Sequence, residues 1–431
     1  MRLIALFLVS PFWVISQNWT LDQCIDTAIQ NSAVLKSGVL RSQIASVNLQ
    51  ASKQNLFPSL NAGAVHGYNW GQTIDLFTNQ FASNRVMYDN FYLSSSVVLF
   101  SGLKNYYAIK SNALAIDEAL VDRQVAERNI KIDVSAAFLQ VLLNKEMVSL
   151  SEDTRRKTQE QYKRMEELVG AKQATQAELM EIEAELRLDD YLLLKAGNDL
   201  NYSKLLLQQL LNIPVSPDFE VLDIFPDVQE NLVILDSAIS KSPEMIKIEL
   251  GIQKQGYLIK STKGRYYPSL TLNGAIGTGY SQNNKVLTPS GNYVSQPFND
   301  QLNNNLYQSL FATLNIPIFN KNANRSQLKI QQLELQSLHL KKQDEYNQLK
   351  QRMDQLSLEI LNTSSQLEAM EAVYSSVSLN RDNFEIRFEN GNVTYTELTE
   401  ARNKFVKAKS ELLQAKYQLI FKKIILGFYF S

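Results

Sequence analysis

Very little in this chain is equipped for chemistry. Its 431 residues include two histidines, His66 and His339, and one cysteine, Cys24. His66 falls in an alternating segment and His339 in a long helical one, so no cluster for zinc or for nucleophilic catalysis is available. The run Gly274-Ala275-Ile276-Gly277-Thr278-Gly279 is glycine-rich. It lies inside an alternating pattern with no helix after it, which argues against a phosphate cradle and for relief of crowding on one strand face. Carboxylates remain. Glu178 and Glu181 follow Thr175, and Glu397 and Glu400 follow Thr394, each set opening a helical segment. Thr-x-x-Glu at a helix start is a capping box, and acidic side chains there also suit the helix dipole. The inventory implies no cofactor and no metal, and predicts that the protein is not an enzyme.

Charge and address narrow the classes further. There are 43 basic and 44 acidic residues, a formal net charge of −1, so no nucleic-acid footprint is visible. A single cysteine allows no intramolecular disulfide. Leu21-Asp22-Gln23 before Cys24 does not look like a lipid-attachment signal, and Cys24 reads as a buried helix residue beside Ile25 and Ile29. Arg2, the apolar run Leu3 to Ile15 and small Ser16 read as a secretory signal over 1–16, so the mature chain is expected to be exported. Beyond it, no stretch approaches the roughly 18 to 20 apolar residues of a spanning helix. Any membrane crossing must use strands.

The elements that carry these residues occur twice. Phe57-Pro58-Ser59-Leu60 and Tyr267-Pro268-Ser269-Leu270 each follow a helical pattern and precede an alternating one. Proline lacks a donor N–H and pushes the preceding residue out of the α region, so Pro58 and Pro268 mark helix-to-strand switch points. They lie 210 positions apart, as do Ala28 and Ala238; Phe100 and Phe319, and Glu178 and Glu397, lie 219 apart. The chain is therefore a duplicated unit. The first repeat, 17–229, holds a helix, strands at about 60–70 and 90–100, a helical hairpin over 101–211 and a proline-bearing linker over 212–229. The second, 230–431, holds a helix, strands at about 269–280 and 306–317, and a hairpin over 321–430.

The strands have unlike faces. Leu270, Leu272, Ile276 and Tyr280 alternate with Thr271, Asn273, Ala275, Gly277 and Gly279; Leu306, Leu310, Ala312, Leu314 and Ile316 alternate with Tyr307, Ser309, Thr313 and Asn315. In the first repeat Phe91, Leu93, Val97 and Leu99 share one side. Such strands fit a transmembrane β-barrel, with a soluble β-segment as the alternative. In the second hairpin the positions Tyr346, Leu349, Met353, Leu356, Ile360, Thr363, Leu367, Met370, Tyr374, Val377, Arg381, Phe384 and Phe388 form a coiled-coil seam, polar only at Thr363 and Arg381. The first hairpin is wetter at matching positions, with Glu127, Asn144, Ser151, Arg155 and Thr158. Four strands cannot close a barrel, and an open edge in lipid leaves backbone groups unpaired. Several chains must share one barrel, and the expected fold is mostly α with β.

These features resemble the TolC-type outer-membrane efflux proteins. The likeness rests on the duplicated order, on Val98-Leu99-Phe100-Ser101-Gly102 at the first strand exit, and on Gly391-Asn392-Val393-Thr394-Tyr395-Thr396-Glu397-Leu398 at the second hairpin tip. The second exit keeps Pro317-Ile318-Phe319 but has Lys321 where the family usually has glycine. The resemblance implies a homotrimer with a twelve-stranded barrel in outer-membrane lipid and a helical tunnel in the periplasm. It also implies docking onto a periplasmic adaptor and an inner-membrane transporter, with the tips Gly170 to Thr175 and Asn390 to Tyr395, Gly391 and Thr394 included, as the docking surface. Glu397 and Glu400 would ring a closed periplasmic gate, a role that competes with simple capping. The function expected is a passive exit duct for efflux or for type I secretion; the alternative is a soluble periplasmic coiled-coil adaptor or scaffold.

Overall fold

The computed structural model describes residues 18–75, 77–79, 81–82, 85–223 and 239–430. The expected signal segment 1–16 and most of the linker's second half lie outside them. The chain divides into two compact units, one of Met1–Val39, Val121–Ile246 and Asp344–Ser431, the other of Leu40–Leu120 and Lys247–Gln343. Four helices contribute residues to both: α2 (Ala33–Gln54), α3 (Lys104–Gly170), α5 (Pro243–Gly264) and α7 (Ala323–Glu389).

The second unit is built on one antiparallel sheet of four strands, β2 (Ser59–Asn69), β5 (Val86–Phe100), β7 (Ser269–Ser281) and β10 (Tyr307–Asn315), in the order β10-β7-β5-β2. The register puts like with like. Ala64 stands opposite Phe91, Leu93 opposite Ile276, Leu272 opposite Ala312 and Leu270 opposite Leu314. On the other face Ser96 donates to Asn273 Oδ1 (2.9 Å), and Asn273 Nδ2 donates to Thr313 Oγ1 (3.3 Å). The glycines of this polar face lie under tyrosines. A Cβ on Gly63 would meet the Tyr92 ring at 2.5 Å, one on Gly67 the Tyr88 hydroxyl at 2.8 Å, and one on Gly277 the Tyr307 ring at 2.5 Å. Each glycine makes room for a ring laid across the strands.

Some boundaries differ from expectation. The first helix is two, α1 (Leu21–Asn31) and α2, because Ser32 leaves the helical region and its hydroxyl accepts from the Leu35 N–H at 3.2 Å. Strand β5 begins at Val86 rather than near 90, since Val86 still pairs with Asn69. Strand β10 stops at Asn315, short of Pro317, which cannot donate to a ladder. A register shift between Val98 and Phe100 makes Leu99 the extra residue, so Phe100, not Leu99, stands opposite Leu270. The polar loops contain small hairpins, β3 (Thr73–Ile74) with β4 (Phe81–Ala82) and β8 (Lys285–Leu287) with β9 (Tyr293–Ser295), and the helix α6 (Phe298–Asn304). Buried Asp75 accepts from the N–H groups of Phe77 (3.0 Å) and Thr78 (3.2 Å) and pairs with the Ser281 hydroxyl, tying the first loop to the end of β7.

Both strand exits turn through left-handed backbone: φ is +62° at Gly102 and +55° at Lys321. Gly102 has no room for a side chain, as a Cβ there would meet Tyr267 Cβ at 2.8 Å. Lys321 adopts the conformation that glycine adopts at the other exit, at a cost of about 1 kcal/mol for an L-residue.

Among the described residues the regular structure of the first unit is helical, apart from a two-residue parallel bridge between β1 (Asn18–Trp19) and β6 (Glu220–Val221). Its largest core joins Leu21, Cys24, Ile25 and Ala28 of α1 to Val134, Phe138, Val141 and Leu142 of α3, Leu207 and Leu211 of α4 (Gln176–Leu211), and Tyr417 and Ile424 of α8 (Tyr395–Phe430). Cys24 is wholly buried, which raises its thiol pKa to about 12. Along α7 the buried seam positions are Leu349, Met353, Leu356, Ile360 and Thr363. The polar seam residues both find partners. Lys422 of α8 donates to Thr363 Oγ1 at 2.8 Å, and the Arg381 guanidinium lies 3.8 Å from the centre of the Phe405 ring. In the first hairpin Asn144 donates to the Asp199 carbonyl (3.0 Å) and Arg155 to Asp190 (2.7 Å), so its wetter seam is hydrogen-bonded within the hairpin.

Candidate functional site at the helical tips

Both helical hairpins of the first unit turn in the same way. At the first, the Lys172 N–H donates to the Val169 carbonyl (2.9 Å) and the Gln173 N–H to Leu168 (2.8 Å); at the second, Gly391 donates to Phe388 (3.0 Å) and Asn392 to Arg387 (2.9 Å). This is a helix terminator that needs one left-handed residue. That residue is Gly391 (φ +73°) in one tip and Lys172 (φ +61°) in the other. Gly170, singled out from the sequence, is the last residue of α3, with open space beyond it.

The returning helices start on matched caps. The Thr175 N–H donates to Glu178 Oε2 at 2.8 Å, and the Thr394 N–H donates to Glu397 Oε2 at 2.8 Å; each threonine hydroxyl in turn accepts from the glutamate N–H at 3.3 Å. These bonds to the ionised form hold both carboxyls below the usual carboxylate range. Glu397 therefore caps α8. Glu181 accepts from the Thr396 hydroxyl at 3.1 Å, linking the two hairpins. Glu400 is exposed, and its carboxylate has no partner among the described residues. Beneath the turns, Met165, Ile182, Tyr395 and Leu398 form a small buried core against Phe384 and Phe388.

A network that the sequence did not reveal lies further along the same helices. Arg402 of α8 donates to Gln161 of α3 (2.6 Å) and to Glu385 of α7 (3.2 Å), and Lys157 of α3 donates to the same Glu385 (3.2 Å). One arginine thus ties three helices together. Its partners lie 17 and more than 200 positions away, so no local spacing announces them. Nearby, Asp189 of α4 is 5% exposed and its Oδ2 has no hydrogen-bond partner. Burial pushes its carboxyl above the usual range, and Glu185 is raised by burial and by the Asp189 charge.

No group of three or more metal-ligating side chains occurs among the described residues. Pro58 and Pro268 immediately precede β2 and β7, after short turns that close α2 and α5.

Comparison with known proteins gives a consistent picture. Residues 234–424 match the family model of outer membrane efflux proteins. The chain is 21% identical over 403 residues to the probable outer membrane lipoprotein SilC of Salmonella typhimurium, covering 92% of this chain and 82% of that one. It is 21% identical over 426 residues to the cation efflux system protein CusC of Escherichia coli, covering 94% and 84%. Among solved structures, CusC superposes with a TM-score of 0.81 at 16% identity, covering 95% of this chain and 92% of that one. The CmeC outer membrane channel of Campylobacter jejuni superposes with a TM-score of 0.79 at 15% identity, covering 95% and 85%. These matches favour a channel over a soluble adaptor or scaffold.

Proposed function

We propose that the chain is an outer membrane efflux protein, as its match to that family's model over residues 234–424 supports, and that it is the passive, trimeric exit duct of a tripartite efflux system. The observation that carries this reading is the sheet of the second unit, apolar on one face, polar on the other and unpaired at both edges. An unpaired edge costs several kcal/mol per backbone group in lipid, so further strands must come from other copies. In this reading the barrel lies in the outer membrane and the helical hairpins stand in the periplasm. Their tips meet an adaptor, which couples the duct to an inner-membrane transporter. The chain has no chemistry of its own and holds no cofactor.

Metal cations are a reasonable cargo, because one relative is named as a cation efflux protein. Cargo is chosen mainly by the pump, so these residues need not encode it. The purified protein reconstituted in planar bilayers is expected to give stepwise conductances, and deletion in the native host to raise sensitivity to metal-cation salts. A protein recovered from the membrane that never conducts would contradict the duct.

A further inference from the structure

The four places where strand and helix meet lie at one end of the sheet. Ser59 opens β2 opposite Ser96 of β5, Leu270 of β7 stands opposite Phe100, and Ser269 stands opposite Asn315, the last residue of β10. The helices beyond are clasped in the same order. The Ser52 hydroxyl of α2 accepts from Asn112 of α3, Ser261 Oγ of α5 donates to the Lys104 carbonyl (3.1 Å), and Asn324 Nδ2 of α7 donates to the Arg265 carbonyl (3.2 Å). Within six residues of a strand end, on the helix side, these junctions carry Lys53, Lys104, Lys263, Arg265 and Lys321 and no carboxylate. All five are exposed, and none is in an ion pair among the described residues. Lys254, further into α5, is by contrast paired with Glu118.

The charge imbalance extends beyond the turns. Segments 27–74, 90–116, 250–299 and 301–333, which hold nearly all of the four strands and the adjoining helix ends, contain 13 basic residues and none of the chain's 44 acidic ones. At the same end of the sheet Leu60, Leu314, Ile318 and Phe319 are apolar and exposed. A band suited to hydrocarbon thus ends in a band of cations without counter-charges, with Tyr266 and Tyr267 exposed beside Arg265. Apolar, then aromatic and basic surface follows the depth profile of a bilayer leaflet, and cations at its polar boundary attract anionic headgroups. We propose that this end of the sheet binds the phosphate groups of anionic phospholipids in the leaflet that meets the helices. A zwitterionic headgroup brings its own ammonium group and competes poorly for unpaired cations, so the surface selects by net lipid charge.

The inference rests on the shared-barrel reading and adds a lipid class to it. The full-length protein, extracted in detergent, is mixed with equimolar dioleoylphosphatidylglycerol and dioleoylphosphatidylethanolamine, and the lipids it retains are counted by native mass spectrometry. The expected result is a preference for the anionic lipid of at least roughly fivefold, the worth of one cation near an anionic surface. In the wild-type chain that preference is expected to fall to near parity at about 1 M salt, where charges are screened within about 3 Å. The variant Lys53→Gln/Lys104→Gln/Lys263→Gln/Arg265→Gln keeps Lys321, whose backbone is left-handed, and is expected to lose the preference yet conduct as wild type in zwitterionic bilayers. Equal retention of the two lipids, or a preference that salt leaves unchanged, overturns the proposal, and needs no variant; a protein that still conducts keeps the duct. A variant that retains the preference but shifts ion selectivity places these cations along the tunnel and overturns the proposal as well. A protein that neither retains lipid nor conducts overturns both readings.

Discussion

Two carboxylates in the second tip have different work. Glu397 Oε2 accepts from both the Thr394 backbone N–H and its hydroxyl, whereas Glu400 is exposed and unengaged. If three chains ring a closed tip, as the proposed duct requires, unengaged carboxylates there would concentrate negative potential and favour cations. We therefore expect Glu400→Ala to lower cation selectivity and cation block in bilayers, and Glu397→Ala to act mainly by loosening the start of α8. Wild-type selectivity in the double variant would remove the gate assignment. Asp189 makes a separate prediction. A buried carboxyl whose folded pKa is raised contributes most below its unfolded value, near 3.9, and that contribution is lost as pH rises through the folded value. Arg402, Arg155, Asp190 and Glu185 are the charges that face it, and Thr158 the neutral donor. Asp189→Asn is expected to raise the thermal midpoint at pH 7.5 and leave it nearly unchanged at pH 4; a lowered midpoint at pH 7.5 would show that the carboxylate is being held by Arg402 instead. Neither Asp189 nor Arg402 stood out in the sequence, because burial and partners on other helices define them. The caps did, since Thr-x-x-Glu is a local motif.

At the scale of elements, period two and period three-to-four decided most of what could be read in advance. The strand faces are the ones that the register pairs, and the seam of α7 is buried from Leu349 to Thr363, half-buried at its other apolar positions, and bonded where Thr363 and Arg381 interrupt it. The differences have local causes: a serine cap that splits the first helix, a bulge at Leu99, a left-handed Lys172 that no glycine flags. A side chain's backbone angle is set by the turn it must complete, and Lys172 completes the same turn as Gly391. Arg402 is the tie between elements whose loss should be felt first. Arg402→Met keeps the aliphatic stem but removes the bonds to Gln161 and Glu385, a local loss of roughly 1–3 kcal/mol. If the hairpins must separate for the tips to open, this variant will conduct more than wild type, while a variant that conducts as wild type would place the hinge elsewhere.

For the whole molecule, the single chain is incomplete as a membrane object. Its sheet has a face suited to lipid and two edges that lipid will not tolerate, with Leu310 76% and Leu60 70% exposed. The duplication gives those edges repeat-related partners, and copies of the same chain are the economical source of the missing strands. Four strands against the roughly eight of the smallest barrels can be counted in the sequence; the strand register cannot, because it depends on the bulge at Leu99 and on β10 stopping at Asn315. The measurement that bears most directly on the shared barrel is the mass of the membrane-extracted protein in detergent, by light scattering corrected for bound detergent. A particle of three chains is the predicted result. A monomer or dimer recovered from the soluble periplasmic fraction would contradict it.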